Sequence, residues 1–213
     1  MVAFLKFFHS KYLLYSFMLV LLCFSNNSNA QLYVFPEDTL TCPTQPIELR
    51  ARFDSDISIN MNLDDNFSSP VDIGFDFVYY GQTYNQCVIS GNNYITFNLA
   101  HATQGSSYVY NTALGNGQIA NAIMFPFHDT DASQTSGNSI TYATLGTPGN
   151  RKFIVQFCRV PLFSCNNLLV TNQLVLYEGS NRIEIHTYNK PGGCTWQSGT
   201  GIMGLRSGTF EHL

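Results

Sequence analysis

The stretch VDIGFDFVYY, residues 71–80, alternates apolar and polar side chains with a period of two residues. One face carries Val71, Ile73, Phe75, Phe77 and Tyr79, and the other carries Asp72, Gly74 and Asp76. Because successive side chains of a β-strand point to opposite faces, this pattern predicts a strand that is buried on one side.

Similar strand patterns continue towards the C-terminus. Residues 84–97 (YNQCVISGNNYITF) predict two strands joined by a turn at 91–93. Short strands are also predicted at 122–127, 139–144, 153–157, 173–177, 182–188 and 201–205, with a turn at 178–181 and a long polar loop at 100–118. No window after residue 30 holds an apolar period of 3.6 residues over a helical length. The sequence therefore predicts an all-β fold, an antiparallel β-sandwich with one long polar loop.

The first 30 residues have the composition of a secretory signal peptide. Lys6 and Lys11 precede an apolar run at 12–24. The small residues Ser28 and Ala30 then occupy the −3 and −1 positions of a cleavage site after residue 30. The run is shorter than the roughly 20 residues that span a bilayer, so cleavage after residue 30 is predicted, with an uncleaved membrane anchor as the alternative. We expect an exported protein with no membrane insertion after signal cleavage.

The charge balance narrows the classes of partner. After residue 30 the chain holds eight basic and fourteen acidic side chains, a net charge of −6. A net negative charge argues against nucleic acid and anionic lipid as partners. Charged residues make up 11% of the chain, against about 25% in typical domains, so uncharged polar residues must supply most of the surface. Such a surface suits recognition of an extracellular protein or a glycan.

Residues 64–205 resemble a module of known extracellular proteins. The matching segments are DDNFSSPVDIGFDFVYYGQTYNQCVISGNNYITF (64–97), NAIMFPFHDTD (121–131), NRKFIVQFCRVPLFSC (150–165) and NQLVLYEGSNRIEIHTYNKPGGCTWQSGTGIMGL (172–205). In this order and spacing they are similar to large secreted Bacteroidetes surface proteins of the gliding motility-associated C-terminal domain kind. The module also resembles, more distantly, nidogen-type extracellular domains. CPTQPIELRA (42–51) is similar to the start of the Ig-like modules that often precede it.

The resemblance implies a non-catalytic module at the bacterial cell surface, acting in adhesion, surface coating or gliding motility, with type IX secretion and no cofactor. Together with the signal peptide at 1–30, it predicts an N-terminal strand segment at 31–62, which is the possible start or remnant of an Ig-like module, and the sandwich at 63–213. We expect the sandwich to be truncated at its C-terminus. Further domains of a larger parent protein are expected partners.

Five cysteines remain after signal cleavage, and an exported protein normally uses them in disulfides. Because five is an odd number, at least one thiol stays free or pairs outside this chain. The resemblance implies a disulfide between Cys165 and Cys194, since both positions commonly carry cysteine in the similar proteins. The pairing of Cys42, Cys87 and Cys158 stays open.

Two acidic pairs are candidate calcium ligands. Asp129 and Asp131 follow a predicted strand at i and i+2, a spacing that lets both carboxylates reach one Ca²⁺ ion. Asp64 and Asp65 form a second, weaker candidate. The alternative is a turn whose aspartates accept backbone N–H bonds. A hydrolase would instead need a concave pocket that gathers His128, Asp129 and Asp131.

Aromatic residues in predicted loops are candidates for stacking on a ligand. Tyr108, Tyr110 and Trp196, the single tryptophan of the chain, lie between strand patterns rather than within them. Exposed tyrosine and tryptophan side chains stack on sugars or anchor protein partners. The alternative is that these rings cap the ends of the sandwich. A secreted carbohydrate-binding module is therefore the second function that the sequence allows, and a secreted hydrolase the third.

Overall fold

The computed structural model describes residues 57–58, 64–109, 119–135 and 139–208 of the chain. The predicted signal peptide, most of the 31–62 segment, Cys42 and Tyr110 lie outside these residues. No helix in the described part of the chain is long and apolar enough to cross a membrane.

In the described residues, ten strands form two five-stranded antiparallel sheets. The first sheet has the order β1-β6-β7-β8-β9 and the second has the order β10-β5-β4-β3-β2. The strands are β1 (Ile57–Ser58), β2 (Val71–Tyr79), β3 (Gln82–Ser90), β4 (Tyr94–Thr96), β5 (Ala122–Phe127), β6 (Ile140–Leu145), β7 (Lys152–Leu162), β8 (Cys165–Tyr177), β9 (Ile183–Asn189) and β10 (Ile202–Arg206). The described residues contain three short 3₁₀ turns, at Leu99–His101, Ala132–Gln134 and Trp196–Gly199, and no α-helix. The predicted all-β antiparallel fold is confirmed.

The main core lies between the two sheets. In β2 the predicted alternation is confirmed, because every odd-numbered residue from Val71 to Tyr79 is buried and every even-numbered residue is exposed. These side chains meet apolar residues of the facing sheet, including Phe153, Phe157 and Leu174. Burial of this apolar surface is the main force that holds the two sheets together.

A second apolar cluster covers the outer face of β3, β4 and β5. Phe67, Tyr94 and Phe127 belong to it, and Phe67 contacts the ring of Tyr94 edge to face at 5.5 Å between centroids. All six residues of β5 are buried as a result. The segment that carries Phe67 is anchored by backbone hydrogen bonds to Gln104 and Ile89. This segment brings Asp64 and Asp65 to the end of the second sheet.

The hairpin of β7 and β8 is longer than the sequence predicts. The strands predicted at 153–157 and 173–177 leave out residues 158–162 and 165–172, which include a proline and two adjacent asparagines, residue types that are depleted in strands. The pairing tolerates them because the register shifts twice, between Phe157 and Val160 and between Pro161 and Leu162. These shifts accommodate the proline, and the hairpin continues to a tight turn with Ser164 in the left-handed region at φ 63°.

The cysteines confirm the one predicted disulfide. Cys165 and Cys194 are bonded, with their Cα atoms 5.8 Å apart, and Cys158 is disulfide-bonded as well. Cys87 is a free and fully buried thiol in β3. The Cys165–Cys194 bond ties the start of β8 to the loop that follows β9.

Candidate functional site

Five loop segments meet at one end of the second sheet, which we call the polar end. They are residues 64–66, the β3–β4 turn at 91–93, residues 106–108, residues 128–131 after β5, and residues 196–197. Backbone hydrogen bonds join them, from Gly91 N to Asn66 O at 2.9 Å and from Ser106 N to Asp65 O at 2.6 Å. The polar end is therefore assembled from stretches far apart in the sequence.

Asn92 connects three of these segments through its side-chain amide. Its Nδ2 donates to Asp65 Oδ1 at 2.8 Å and to the Ser107 carbonyl at 3.1 Å. Its Oδ1 accepts from the Thr130 backbone N–H at 2.9 Å. Asn92 is fully buried, so these bonds fix the Asp65 carboxylate beside the end of β5.

Three carboxylates converge at the polar end. Asp64, Asp65 and Asp129 each offer one oxygen, and these oxygens lie within 4.8 Å of one another. Asp129 is 1% exposed, and its Oδ1 has no hydrogen-bond partner. Asp64 Oδ1 is also buried without a partner. A group of oxygen donors of this kind matches the chemistry that hard divalent cations require.

Burial and mutual repulsion disfavour the charged forms of these carboxylates. Desolvation raises the pKa of Asp129 to about 7, and the charges of Asp65, Asp64 and Asp131 act in the same direction. Desolvation and the neighbouring charges of Asp65 and Asp131 raise the pKa of Asp64 to about 6. The pKa of Asp65 is raised by desolvation, although the Asn92 hydrogen bond opposes the shift. No basic side chain lowers any of these three pKa values, so the described residues supply no positive charge to the cluster.

Trp196 holds the other oxygen of Asp129. Its indole Nε1–H donates to Asp129 Oδ2 at 2.6 Å, and its ring packs edge to face on Phe163 at 5.3 Å between centroids. The Cys165–Cys194 bond lies two residues before Trp196 and anchors this loop to β8. The carboxylate of Asp129 is thus oriented with Oδ2 towards the indole.

Asp131, the predicted partner of Asp129, is engaged elsewhere. Its Oδ1 accepts from the Ser133 backbone N–H at 3.0 Å and from the Ser133 hydroxyl, and so caps the short helix at Ala132–Gln134. The structure gathers Asp129 with Asp64 and Asp65, which the sequence treats as two separate candidates. Asn92 was not singled out, and the only local signal for it was the Gly-Asn-Asn turn.

His128 lies beside Asp129 in sequence, but its side chain does not hydrogen-bond to that carboxylate. Its ring is 1% exposed, and neither ring nitrogen has a hydrogen-bond partner. Burial lowers the pKa of His128 to about 4, and the charge of Lys190 adds to the shift. The imidazole is neutral at neutral pH and does not hydrogen-bond to Asp129 or Asp131.

Of the predicted stacking residues, Tyr108 and Trp196 lie in two loops that contact each other, and Tyr110 lies outside the described residues. Gln197 Nε2 donates to the Tyr108 carbonyl at 2.9 Å, so the loops of Tyr108 and Trp196 are neighbours. Tyr108 is 42% exposed, whereas Trp196 is half-buried against the core. Stacking on a ligand stays a prediction for these residues.

Comparison with known proteins identifies the family. Residues 50–213, more than half of the chain, match the family described as NIDO related. The chain belongs to the NIDO-related family. No curated protein and no solved structure matches it.

The NIDO-related domain of this chain therefore includes the whole of the polar end. Its family membership and its disulfide bonds both indicate an extracellular location, because disulfides persist in oxidising compartments. The predicted distant likeness to nidogen-type domains is confirmed. The chain thus contains an extracellular β domain.

Proposed function

We propose that this NIDO-related domain is a non-catalytic module of a bacterial cell-surface protein, acting in adhesion or gliding motility. The family match over residues 50–213 is the observation that carries the proposal. The resemblance of residues 64–205 to Bacteroidetes surface proteins supports the bacterial source and export by type IX secretion. The partner would be an extracellular protein or glycan, next to further domains of the parent protein.

The chemistry of the polar end supports a non-catalytic role. General acid–base catalysis needs a titratable group that reaches the substrate and an orienting partner. The His128 ring is buried and has no hydrogen-bond partner, and one oxygen of Asp129 is held by the indole of Trp196. This arrangement suits structure and binding better than hydrolysis.

Gene replacement in the source bacterium tests the role. The segment that encodes residues 64–208 is deleted in one strain and replaced by an unrelated β-sandwich of equal length in a second strain. Attachment to surfaces and gliding speed are then measured, with secretion of the parent protein verified in both strains. We expect both strains to lose attachment or gliding. Full recovery with the unrelated sandwich would reduce the domain to a spacer and contradict an adhesive role.

A carbohydrate-binding module is the second candidate function. The contact between the Tyr108 and Trp196 loops favours it, because it places two aromatic side chains in neighbouring loops at the polar end. A glycan array with the secreted chain tests this candidate. Binding should fall at least ten-fold in Tyr108→Ala and remain in Tyr188→Ala, whose ring is 74% exposed on β9. An array without signal would argue against this candidate.

A further inference from the structure

We propose that Asp64, Asp65 and Asp129 bind one Ca²⁺ ion, which links the segment before β2 to the end of β5. This inference is independent of the proposed adhesive role, because a spacer could be stabilised in the same way. The two aspartates of the first segment and the single aspartate of the second are more than 60 residues apart in sequence. Their oxygens nevertheless lie within 4.8 Å of one another.

No basic side chain in the described residues forms an ion pair with the three carboxylates of the cluster. The ion pairs there involve Glu178 and Glu184, and none includes Asp64, Asp65 or Asp129. Buried carboxylates are strongly unfavourable unless they are paired or bound to a metal. A divalent cation would offset the repulsion among the three groups and the cost of their burial.

The unpartnered oxygens point to a ligand in particular. Asp129 is 1% exposed. Its Oδ2 accepts a hydrogen bond from the indole of Trp196, whereas its Oδ1 accepts none. The buried Oδ1 of Asp64 is in the same condition. Native proteins satisfy nearly all of their buried polar atoms, so two unsatisfied carboxylate oxygens in one cluster require a partner. A bound cation satisfies both at once.

The donor set favours calcium over other common metals. Zinc prefers nitrogen and sulfur ligands, and the three donors here are all carboxylate oxygens. Magnesium demands a nearly regular octahedral shell, whereas calcium accepts irregular oxygen shells that backbone carbonyls and water complete. Extracellular modules commonly bind calcium in the range of about 10⁻⁴ to 10⁻³ M, which suits a site in an extracellular domain.

Terbium luminescence gives a specific test, because Trp196 is the single tryptophan of the chain and contacts Asp129 directly. Tb³⁺ replaces Ca²⁺ in oxygen sites and emits when a nearby indole is excited. With the full secreted chain we expect tryptophan-sensitised emission that Ca²⁺ displaces and equal Mg²⁺ does not. Asp64→Asn and Asp129→Asn, which keep the side-chain shape, should each weaken Tb³⁺ binding at least ten-fold.

Asp131→Asn is the matched control, since Asp131 is a neighbouring carboxylate outside the cluster. It should bind Tb³⁺ within about two-fold of the wild-type protein. Thermal unfolding provides a second measurement, and Ca²⁺ should raise Tm relative to EDTA in the wild-type protein and in Asp131→Asn but not in Asp64→Asn or Asp129→Asn. Absence of sensitised emission, or unchanged Tb³⁺ affinity in Asp64→Asn and Asp129→Asn, would overturn the site. An equal loss of Tb³⁺ affinity in Asp131→Asn would overturn the assignment of Asp64, Asp65 and Asp129 as the ligands.

Discussion

The two ends of β7 treat their carboxylates in opposite ways. At the start of β7, Arg151 and Gly149 contact the carboxylate of Glu178. Glu178 Oε2 accepts from Arg151 Nε at 2.9 Å, from Arg151 N at 3.0 Å and from Gly149 N at 2.8 Å. Glu178 Oε1 accepts from Arg151 Nη2 at 2.5 Å. After the strand, Phe163 N donates to the carbonyl of Asp129, whose own carboxylate has one unpartnered oxygen.

The pKa values of the two ends differ accordingly. The Arg151 guanidinium lowers the pKa of Glu178 to about 2, whereas burial raises the pKa of Asp129 to about 7. At one end the chain supplies the partner of its own carboxylate. At the other end, no group in the described residues donates a hydrogen bond to Asp129 Oδ1. The contrast coincides with the place at which we propose the Ca²⁺ ion.

The largest expected effect comes from releasing the loop that orients Asp129. Replacing Cys165 and Cys194 by alanine removes a bond with a sequence separation of 29, which should destabilise the protein by about 3–4 kcal/mol in the chain-entropy model. Urea denaturation measures this change. Tb³⁺ affinity should fall as well, because Trp196 loses its anchor. A loss below about 1 kcal/mol would show that the loop is held by packing alone.

The second effect comes from removing the indole donor. Trp196→Phe keeps an aromatic ring against Phe163 but leaves Asp129 Oδ2 without its hydrogen bond. An unsatisfied buried carboxylate oxygen should cost about 1–3 kcal/mol of unfolding free energy in calcium-free buffer. Chemical denaturation measures the loss. Tyr188→Phe, at an exposed tyrosine, is the control and should change stability by less than about 0.5 kcal/mol.

The third effect is an unusual pH dependence of the calcium-free protein. The folded-state pKa values of Asp129 and Asp64, about 7 and about 6, lie above the ordinary value of 3.8. The folded state therefore binds more protons than the unfolded state in this range, and stability should rise as the pH falls from 8 to 5. The lowered pKa of His128 opposes this rise below about pH 6.5, because the buried imidazole stays neutral in the folded state, so the net rise should be on the order of 1 kcal/mol.

Thermal unfolding at several pH values checks this prediction. Asp129→Asn should reduce the rise, and saturating Ca²⁺ should reverse the slope, because protons then compete with the ion. A Tm that falls from pH 8 to pH 6.5 in EDTA, above the range in which His128 contributes, would contradict the raised pKa values.

The smallest expected effect comes from the Arg151–Glu178 pair at the start of β7. Glu178→Gln removes the negative charge that pairs with Arg151, and ion pairs near the surface contribute little to stability, so we expect Tm to fall by a degree or two above pH 5. Because the folded-state pKa of Glu178 is lowered, this difference should shrink as the pH falls from 4.5 towards 2. Ca²⁺ should stabilise the variant as much as the wild-type protein. A variant whose Tm difference grows in acid would contradict the pairing.

The strands were predictable because their signal is local. The alternation in residues 71–79 and the turns at 91–93 and 178–181 each depend on neighbouring residues, and the structure has them where the sequence predicts. The extended hairpin was missed because Pro161 argues against a strand and only the pairing register accommodates it. Local patterns thus predicted the sheets but not their full length.

The polar end was predictable only in its parts. The aspartates at 64–65 and at 129 each give a local signal for oxygen ligands, but their meeting depends on Phe67, which packs on the outer face of the second sheet. The engagement of Asp131 with Ser133 and the role of Asn92 depend on tertiary contacts as well. The Cys165–Cys194 pair came from resemblance to related proteins, since spacing alone leaves several pairings open.

The buried free thiol of Cys87 affects how the disulfides survive outside the cell. Disulfide exchange requires an accessible thiolate, and burial raises the pKa of Cys87 while the strand excludes solvent from its sulfur. In the native protein this sulfur cannot attack the Cys165–Cys194 bond. Once the sheets separate, the same thiol becomes a nucleophile that can scramble the bridges. A single transient opening of β3 can therefore become permanent through one misplaced disulfide bond.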